Sequence, residues 1–297
     1  MRLRYFESTN FGDALNPFIF NSLLPNFFDN DPSVDFFGIG SILGFNMVTE
    51  AKRKVLFSSG FAYGTKPSID NTYDVFCVRG PLTAKALGID EKLAIVDGAV
   101  LLKFLPSEKI IKEYDYSFMP HWESELKFDW KALCDTLNIQ YISPMQDYKT
   151  TIKQILKSKV VIAEAMHAAI VADALRVPWI PVKAYQGIND FKWNDWAASL
   201  ELPYQPIAIP SLFNNTAFVR ELCSKKISPL LPQSVYGIGI NAYQVYQRSS
   251  TQPKALQMLE QIKKGRQYLS KDEILESKAN QLREKLEQVK RKYSIDN

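Results

Sequence analysis

His121 and His167 are the two histidines among 297 residues, and each directly follows an apolar run. His167 lies in VVIAEAMHAAIVADALRVPWIPVKA (160–184), a stretch of small apolar residues in which Leu or Ala would pack more simply. The pattern predicts a short buried strand, KVVIA, and then a helix, HAAIVADAL, so the ring falls near a helix N-terminus. Unpaired N–H groups and the helix dipole favour an anion there. A core histidine satisfied against a sheet is the competing reading.

Other predicted strand ends carry comparable chemistry. Asn10, Gly12 and Asp13 in STNFGD place amides and an acid where a helix opens, which suits either a ligand or a simple cap. Ser59 and Gly60 in FSSGF are small enough for a ligand to approach the backbone. Arg79 in VRGPLT precedes a proline-started helix; its guanidinium suits a phosphate or carboxylate, a helix end or a surface pair. Asp97 in AIVDGAVLL follows an apolar strand, where a carboxylate is either bonded by turn amides or chemically active. His121 in FMPHWE ends the first strand of the second half, and His-x-Glu alone supplies too few ligands for a metal.

These residues must be positioned by alternating strands and helices. RLRYF, VDFFGIG, KVLFSSG, DVFCVRG and KLAIVDGAVLL read as strands, with helices from about Asn16 and over PLTAKALG. After a polar linker, PSEKIIKEYD, a second set follows: strands YSFMPH, IQYISP, KVVIAEA and PWIPVKA, with helices WESELKFDWKALCDTLN, KTTIKQILKS and HAAIVADALR. That rhythm predicts an α/β protein with parallel sheets in two domains, 1–107 and 108–210, and a helical extension, 211–297. In the extension, Ser270 and Glu273 match a capping box. Apolar stripes at Ala255, Leu259, Ile262 and at Leu275, Ala279, Leu282, Leu286, Val289, Tyr293 suggest an antiparallel helical pair docked on the body in preference to a coiled coil.

The net charge of +4 is too small for a nucleic-acid footprint, and no apolar run reaches the roughly 20 residues that cross a bilayer. Cys77, Cys134 and Cys223 are odd in number and widely spaced, which argues against a disulfide framework or zinc site and fits a reducing cytoplasm. The glycines of VDFFGIGSILG (Gly38, Gly40, Gly44) give only a weak dinucleotide signal, because the next strand ends in serines instead of the acid a ribose needs.

Taken in order, NFGDAL, FGIGSIL, FSSGF, VRGPLTAKALG, VDGAVLL, MPHWE and AEAMHAAIVADALRVPWIPV resemble the polysaccharide pyruvyl transferase family over residues 5–190, most closely the succinoglycan-type ketal pyruvate transferases. The resemblance implies two Rossmann-like domains facing a cleft, similar to GT-B glycosyltransferases, with terminal helices crossing back. It also implies transfer of pyruvate as a ketal from phosphoenolpyruvate to a sugar of an exopolysaccharide or its lipid-linked precursor. No cofactor beyond that donor is implied. The work would be cytoplasmic, at the inner face of the membrane, with room for peripheral membrane association and a homo-oligomer. His167 matches the histidine of the family's S-R-x-H motif and Arg79 the arginine of its V-R-x motif. The motif's serine and arginine are here Glu164 and Ala165, so one expected cation is missing, with Arg176, Lys183 or His121 as its replacements. On this reading His167 handles phosphate contact and proton transfer, Arg79 the donor anion, and Asp97, Glu164 or Asp13 acid–base work. Tyr185, Phe191, Trp193 and Trp196 either stack on the acceptor sugar or pack in the core. Two other functions compete: a GT-B-type glycosyltransferase using a nucleotide sugar, and a non-catalytic scaffold binding a partner through its C-terminal helices.

Overall fold

The computed structural model describes residues 1–45, 51–106, 110–214 and 245–294; Cys223 lies outside them. Two fully parallel sheets organise the chain. The first contains β1 (Arg2–Arg4), β2 (Val34–Phe37), β3 (Arg53–Phe57) and β4 (Tyr73–Cys77), in the order β1-β2-β3-β4. Helix α1 (Phe11–Leu23) links β1 to β2, and α2 (Pro81–Leu87) follows β4.

The second sheet has β5 (Tyr114–Met119), β6 (Gln140–Tyr141), β7 (Ser158–Ala163), β8 (Trp179–Lys183) and β9 (Ile207–Ala208), in the order β6-β5-β7-β8-β9. Around it lie α3 (Trp122–Glu125), α4 (Trp130–Thr136), α5 (Tyr148–Lys157), α6 (Met166–Ala174) and α7 (Asp190–Ser199). The chain steps outward from β5 to β6 and returns past β5 to β7. The order therefore reverses between β5 and β7, which opens a crevice beyond their carboxyl ends.

Both faces of the second sheet are covered, which is why its strands are nearly continuous apolar runs. Along β7, Val160 and Ile162 pack into one cluster with Trp130, Leu133 and Leu259, while Val161 and Ala163 face another. That second cluster continues through α6 to α1 and to Phe36 and Phe57 of the first sheet, so one apolar core runs between the sheets. Helix α6 is buried almost all round, and its alanines let neighbouring elements approach closely.

Several expectations are corrected. KLAIVDGAVLL is not a strand: it makes a single bridge, Val78 to Ala94, and then a 3-10 helix over Gly98–Phe104. The Asp97 carboxylate accepts from the Ala99 N–H at 2.9 Å, which starts a helical turn in place of a strand. The helix expected over 122–138 is broken into α3 and α4, because Asp129 caps a new start through the Ala132 N–H. Helix α1 begins at Phe11 instead of near Asn16. None of the described residues between β2 and β3 is helical, so the glycines after β2 do not open the helix a dinucleotide fingerprint requires.

The terminal helices α8 (Gln252–Ile262) and α9 (Asp272–Tyr293) carry the expected stripes but dock on different cores. Helix α8 covers the outer face of the second sheet. Helix α9 starts beside β8, where Tyr268 bridges Trp179 and Arg176 pairs with Asp272, and ends at the first sheet, where Lys292 and Tyr293 meet Asp74. Ser270 caps nothing. Its N–H and hydroxyl both go to the buried Asp173, which also accepts from Trp179 Nε1 at 2.9 Å, and Lys271 becomes the cap position. Among the described residues no helix is long and apolar enough to cross a membrane.

Asp173 therefore fastens α9 to the second sheet. Asp173→Ala strands three donors in the core and is expected to lower unfolding free energy by about 3 kcal/mol in urea titration. Arg176→Ala removes only a half-exposed partner and should cost less than about 1 kcal/mol; equal losses would contradict this assignment.

Candidate active site

A cavity of about 510 Å³ opens where the carboxyl ends of the two sheets converge. The first half supplies Phe6, Ser8 and Asn10 from the β1–α1 turn, Gly12 and Asp13 from the first turn of α1, Gly40 and Ser41 from the loop after β2, and Tyr63 from the loop after β3. The second half supplies His121 and Glu123 after β5, Ala165 and His167 after β7, and Lys192 from α7. The two histidines thus flank the β5/β7 reversal, where open parallel sheets bind ligands.

Helices α1 and α6 both point their N-termini at the cavity, and neither has a side-chain cap, whereas α4, α5 and α7 are capped by Asp129, Asp147 and Asn189. The first N–H groups of α6 remain available beside Ala165 and Met166 on the lining. The sequence dictates this opening, since alanine at position 165 has no oxygen to accept from them.

His167 stands in the first turn of α6 with its side chain 15% exposed. Its Nε2 is buried without a hydrogen bond and faces Asp97 Oδ1 at 3.9 Å; Asp97 Oδ2 is likewise unpartnered. Closing that gap by about 1 Å would make the hydrogen bond, as catalytic contacts commonly do on binding. Burial pulls the imidazole down to about 4 against the opposing field of Asp13, and burial pushes Asp97 up to about 6 despite the nearby Arg79. At neutral pH the ring is uncharged in front of an ionised carboxylate. The Nδ1 edge lies against Gly12, where a Cβ would come within 2.1 Å of it. Gly12 is thus needed for close packing on the ring.

His121 is also held neutral, pulled down to about 3 by burial and then by Lys192 and Lys127. Its Nδ1 accepts from the Glu123 N–H at 3.4 Å, which leaves the proton on Nε2. Glu164, expected as an acid or base, stands behind the lining. Its two oxygens accept from the backbone N–H groups of His121 (2.9 Å) and Ala184 (2.8 Å), so it ties the ends of β5 and β8 together, and burial raises its pKa.

The expected cations are placed differently. Arg79 does not line the cavity: it is fully buried, donating from Nε to Asp195 at 2.9 Å, from Nη1 to Ser41 at 2.6 Å and from Nη2 to the Phe61 carbonyl. The room at Gly60 is filled by this guanidinium, and Ser59 donates to the carbonyls of Phe37 and Gly38, so neither meets the cavity. Arg176 anchors α9 through Ser270 and Asp272, and Lys183 pairs with Asp190 at 2.7 Å. Neither is on the lining.

Lys192, which the sequence reading missed, is the ammonium on the lining. It is 8% exposed, and its Nζ has no hydrogen bond or ion pair among the described residues, only the Tyr63 ring at 5.8 Å. Burial and the field of Arg79 lower its pKa to about 8, leaving it mostly charged at neutral pH. A buried ammonium without a directly bonded counter-ion is costly, and only the fields of Glu123 and Asp13 on the same lining offset that cost. The only signal in the sequence is a lysine inside an aromatic-rich helix, FKWNDW.

Asn10 and Asp13 are on the lining, with the Asp13 carboxylate accepting from Ser8 at 2.7 Å and Asn10 at 3.2 Å. Trp193 and Trp196 are fully buried and Tyr185 is 6% exposed, so they are core. Phe191 packs edge-on against Phe61.

Parallel sheets whose carboxyl ends meet at a cavity with a buried imidazole–carboxylate pair make an α/β protein with a setting for acid–base chemistry. The polysaccharide pyruvyl transferase family model matches residues 11–184. The succinoglycan biosynthesis protein ExoV of Rhizobium meliloti (strain 1021) is 42% identical over 215 residues, covering 71% of this chain and 68% of that protein. The chain belongs to the polysaccharide pyruvyl transferase family and is a transferase.

Gly12→Ala would drive a methyl into the His167 ring. It is expected to lower kcat/KM about a hundredfold with the thermal midpoint moved by only a few degrees, since a misplacement of 1 Å at reacting groups costs about that much. Steady-state kinetics with parallel calorimetry checks this, and a variant of unchanged kcat/KM would remove the close packing from the account.

Proposed function

We propose that the enzyme transfers pyruvate as a ketal from phosphoenolpyruvate to two hydroxyls of a sugar in an exopolysaccharide or its lipid-linked precursor. On this reading residues 1–107 and 108–210 are Rossmann-like halves facing the cavity in a GT-B-like arrangement, and acceptor and enzyme meet at the inner face of the membrane. The observation that carries the proposal is Lys192: an ammonium buried without a counter-ion, in a cavity that also exposes the uncapped N-terminus of α6. Phosphoenolpyruvate brings two anionic groups, which suit a cation and a set of free N–H groups.

The chemistry divides among lining residues. Addition across the vinyl bond delivers one proton to the methylene carbon and removes one from the attacking hydroxyl. His167 takes the hydroxyl proton at Nδ1, and ionised Asp97 behind Nε2 fixes the tautomer and stabilises the imidazolium. The imidazolium so formed hands that proton on to the methylene carbon, which completes the addition, and the field of Asp13 on the same lining favours the imidazolium in between. The carbon–oxygen bond to phosphate then breaks, and the second hydroxyl closes the ketal as its proton passes to the departing phosphate. His121 Nε2–H is placed to donate to the donor anion.

Labelled phosphoenolpyruvate offered with depyruvylated glycans tests this: phosphate release should match a mass gain on the sugar of one pyruvate less one water. A nucleotide sugar consumed in its place would identify a glycosyltransferase. The pH profile of kcat/KM should be bell-shaped. Activity rises through about 6 as Asp97 ionises and falls through about 8 as Lys192 loses its proton, with His167 neutral across that window. A profile flat from pH 5 to 9 would contradict these roles.

A further inference from the structure

Three large aromatic side chains on the cavity lining remain well exposed: Phe6 at 39%, Phe45 at 41% and Trp122 at 37%. They occupy two walls. On the first-half wall Phe6 meets Phe45 edge-on at 5.0 Å, and Phe45 meets Tyr63 at 5.8 Å, the ring beneath Lys192. On the opposite wall Trp122 lies beside His121 at 5.9 Å. Each wall therefore runs from an exposed aromatic to one of the polar groups of the site. Hydrophobic burial does not explain three such rings left in water around one opening, and apolar surface rimming a polar pocket marks a recognition site.

The occupant must combine flat apolar faces with many hydroxyls, because Ser8, Ser41, Asn10, Asp13 and Glu123 interleave with the rings on the same lining. A sugar ring has this character: its C–H face lies on an aromatic ring while its hydroxyls bond to the polar groups between. We propose that Trp122 and the Phe6–Phe45 pair form the acceptor subsite, a slot that grips a sugar of the glycan by stacking and holds its hydroxyls toward His167. This rests on the pyruvyl-transfer reading for the identity of the acceptor, while the stacking itself does not.

Trp122 can be read directly. The other tryptophans, Trp130, Trp179, Trp193 and Trp196, are at most 1% exposed, so collisional quenching by iodide reports on Trp122. The oligosaccharide that supports turnover should protect against iodide at concentrations near its KM. Trp122→Ala and Phe45→Ala should each raise the acceptor KM about tenfold with the phosphoenolpyruvate KM unchanged, and Trp122→Phe should restore most of the loss. Turnover without protection, or variants with an unchanged acceptor KM, would overturn the subsite. If no glycan turns over, the pyruvyl reading fails separately, and the titration is repeated with depyruvylated succinoglycan oligosaccharides: protection keeps the sugar platform and its absence ends it. Protection by polyprenyl-phosphate vesicles but not by glycan would assign the rim to the lipid carrier and also overturn the proposal.

Discussion

The buried ion pair between Arg79 and Asp195 sets the geometry on which the rest of the site depends. Arg79 lies two residues past the end of β4 in the first half and Asp195 lies on α7 in the second, 116 residues away, and both are fully buried. Asp195 also accepts from the Thr83 N–H at 2.8 Å and from the Thr83 hydroxyl at 2.6 Å, so one carboxylate fastens the start of α2 and the guanidinium together. Glycine is required on both sides, since a Cβ at Gly60 would lie 2.1 Å from the guanidinium carbon and one at Gly80 2.1 Å from the Asp195 carbonyl. Losing one partner from such a pair costs roughly 3–5 kcal/mol, because the other is left charged in the core. Lys192 lies three residues before Asp195 on α7, so the latch that joins the halves also places the ammonium in the cavity.

Electrostatics follow from that placement. With Arg79 neutralised by Asp195, the cation on the cavity lining without a hydrogen bond or ion pair among the described residues is Lys192, and its field helps keep both histidines uncharged. Burial does most of the tuning: it raises Asp97, lowers His167 and His121, and lowers Lys192. Opposite shifts on neighbouring groups mark an acid–base pair, and here the pair is Asp97 and His167. Both residues carry a buried polar atom without a hydrogen bond, which a folding argument alone leaves unexplained.

Much of this was legible in the sequence where the physics is local. Buried parallel strands need unbroken apolar runs, so VDFF, KVLF, DVFC and KVVIA announce β2, β3, β4 and β7 directly. The small residues around His167 likewise mark a helix start at a strand end. Long-range pairing was not legible. Nothing in VRGPLT shows that Arg79 is neutralised by an aspartate on α7, between β8 and β9 of the second sheet, and nothing in LSKDE shows that Ser270 is claimed by Asp173 instead of its own helix. The 3-10 turn at Asp97 escaped notice because its apolar run is buried on every side, which strands and helices share. Lys192 was hidden among aromatic neighbours whose own role is core packing.

The central claim is that this cavity holds an anionic donor through Lys192. Isothermal titration of phosphoenolpyruvate into the wild type and Lys192→Met measures it most directly, because methionine keeps the apolar stem and removes the charge. The account predicts Kd weakened about a hundredfold or more in the variant, as for loss of a charge-assisted contact in a buried site, with an unchanged thermal midpoint of the free protein. Equal affinity in the two proteins would contradict it.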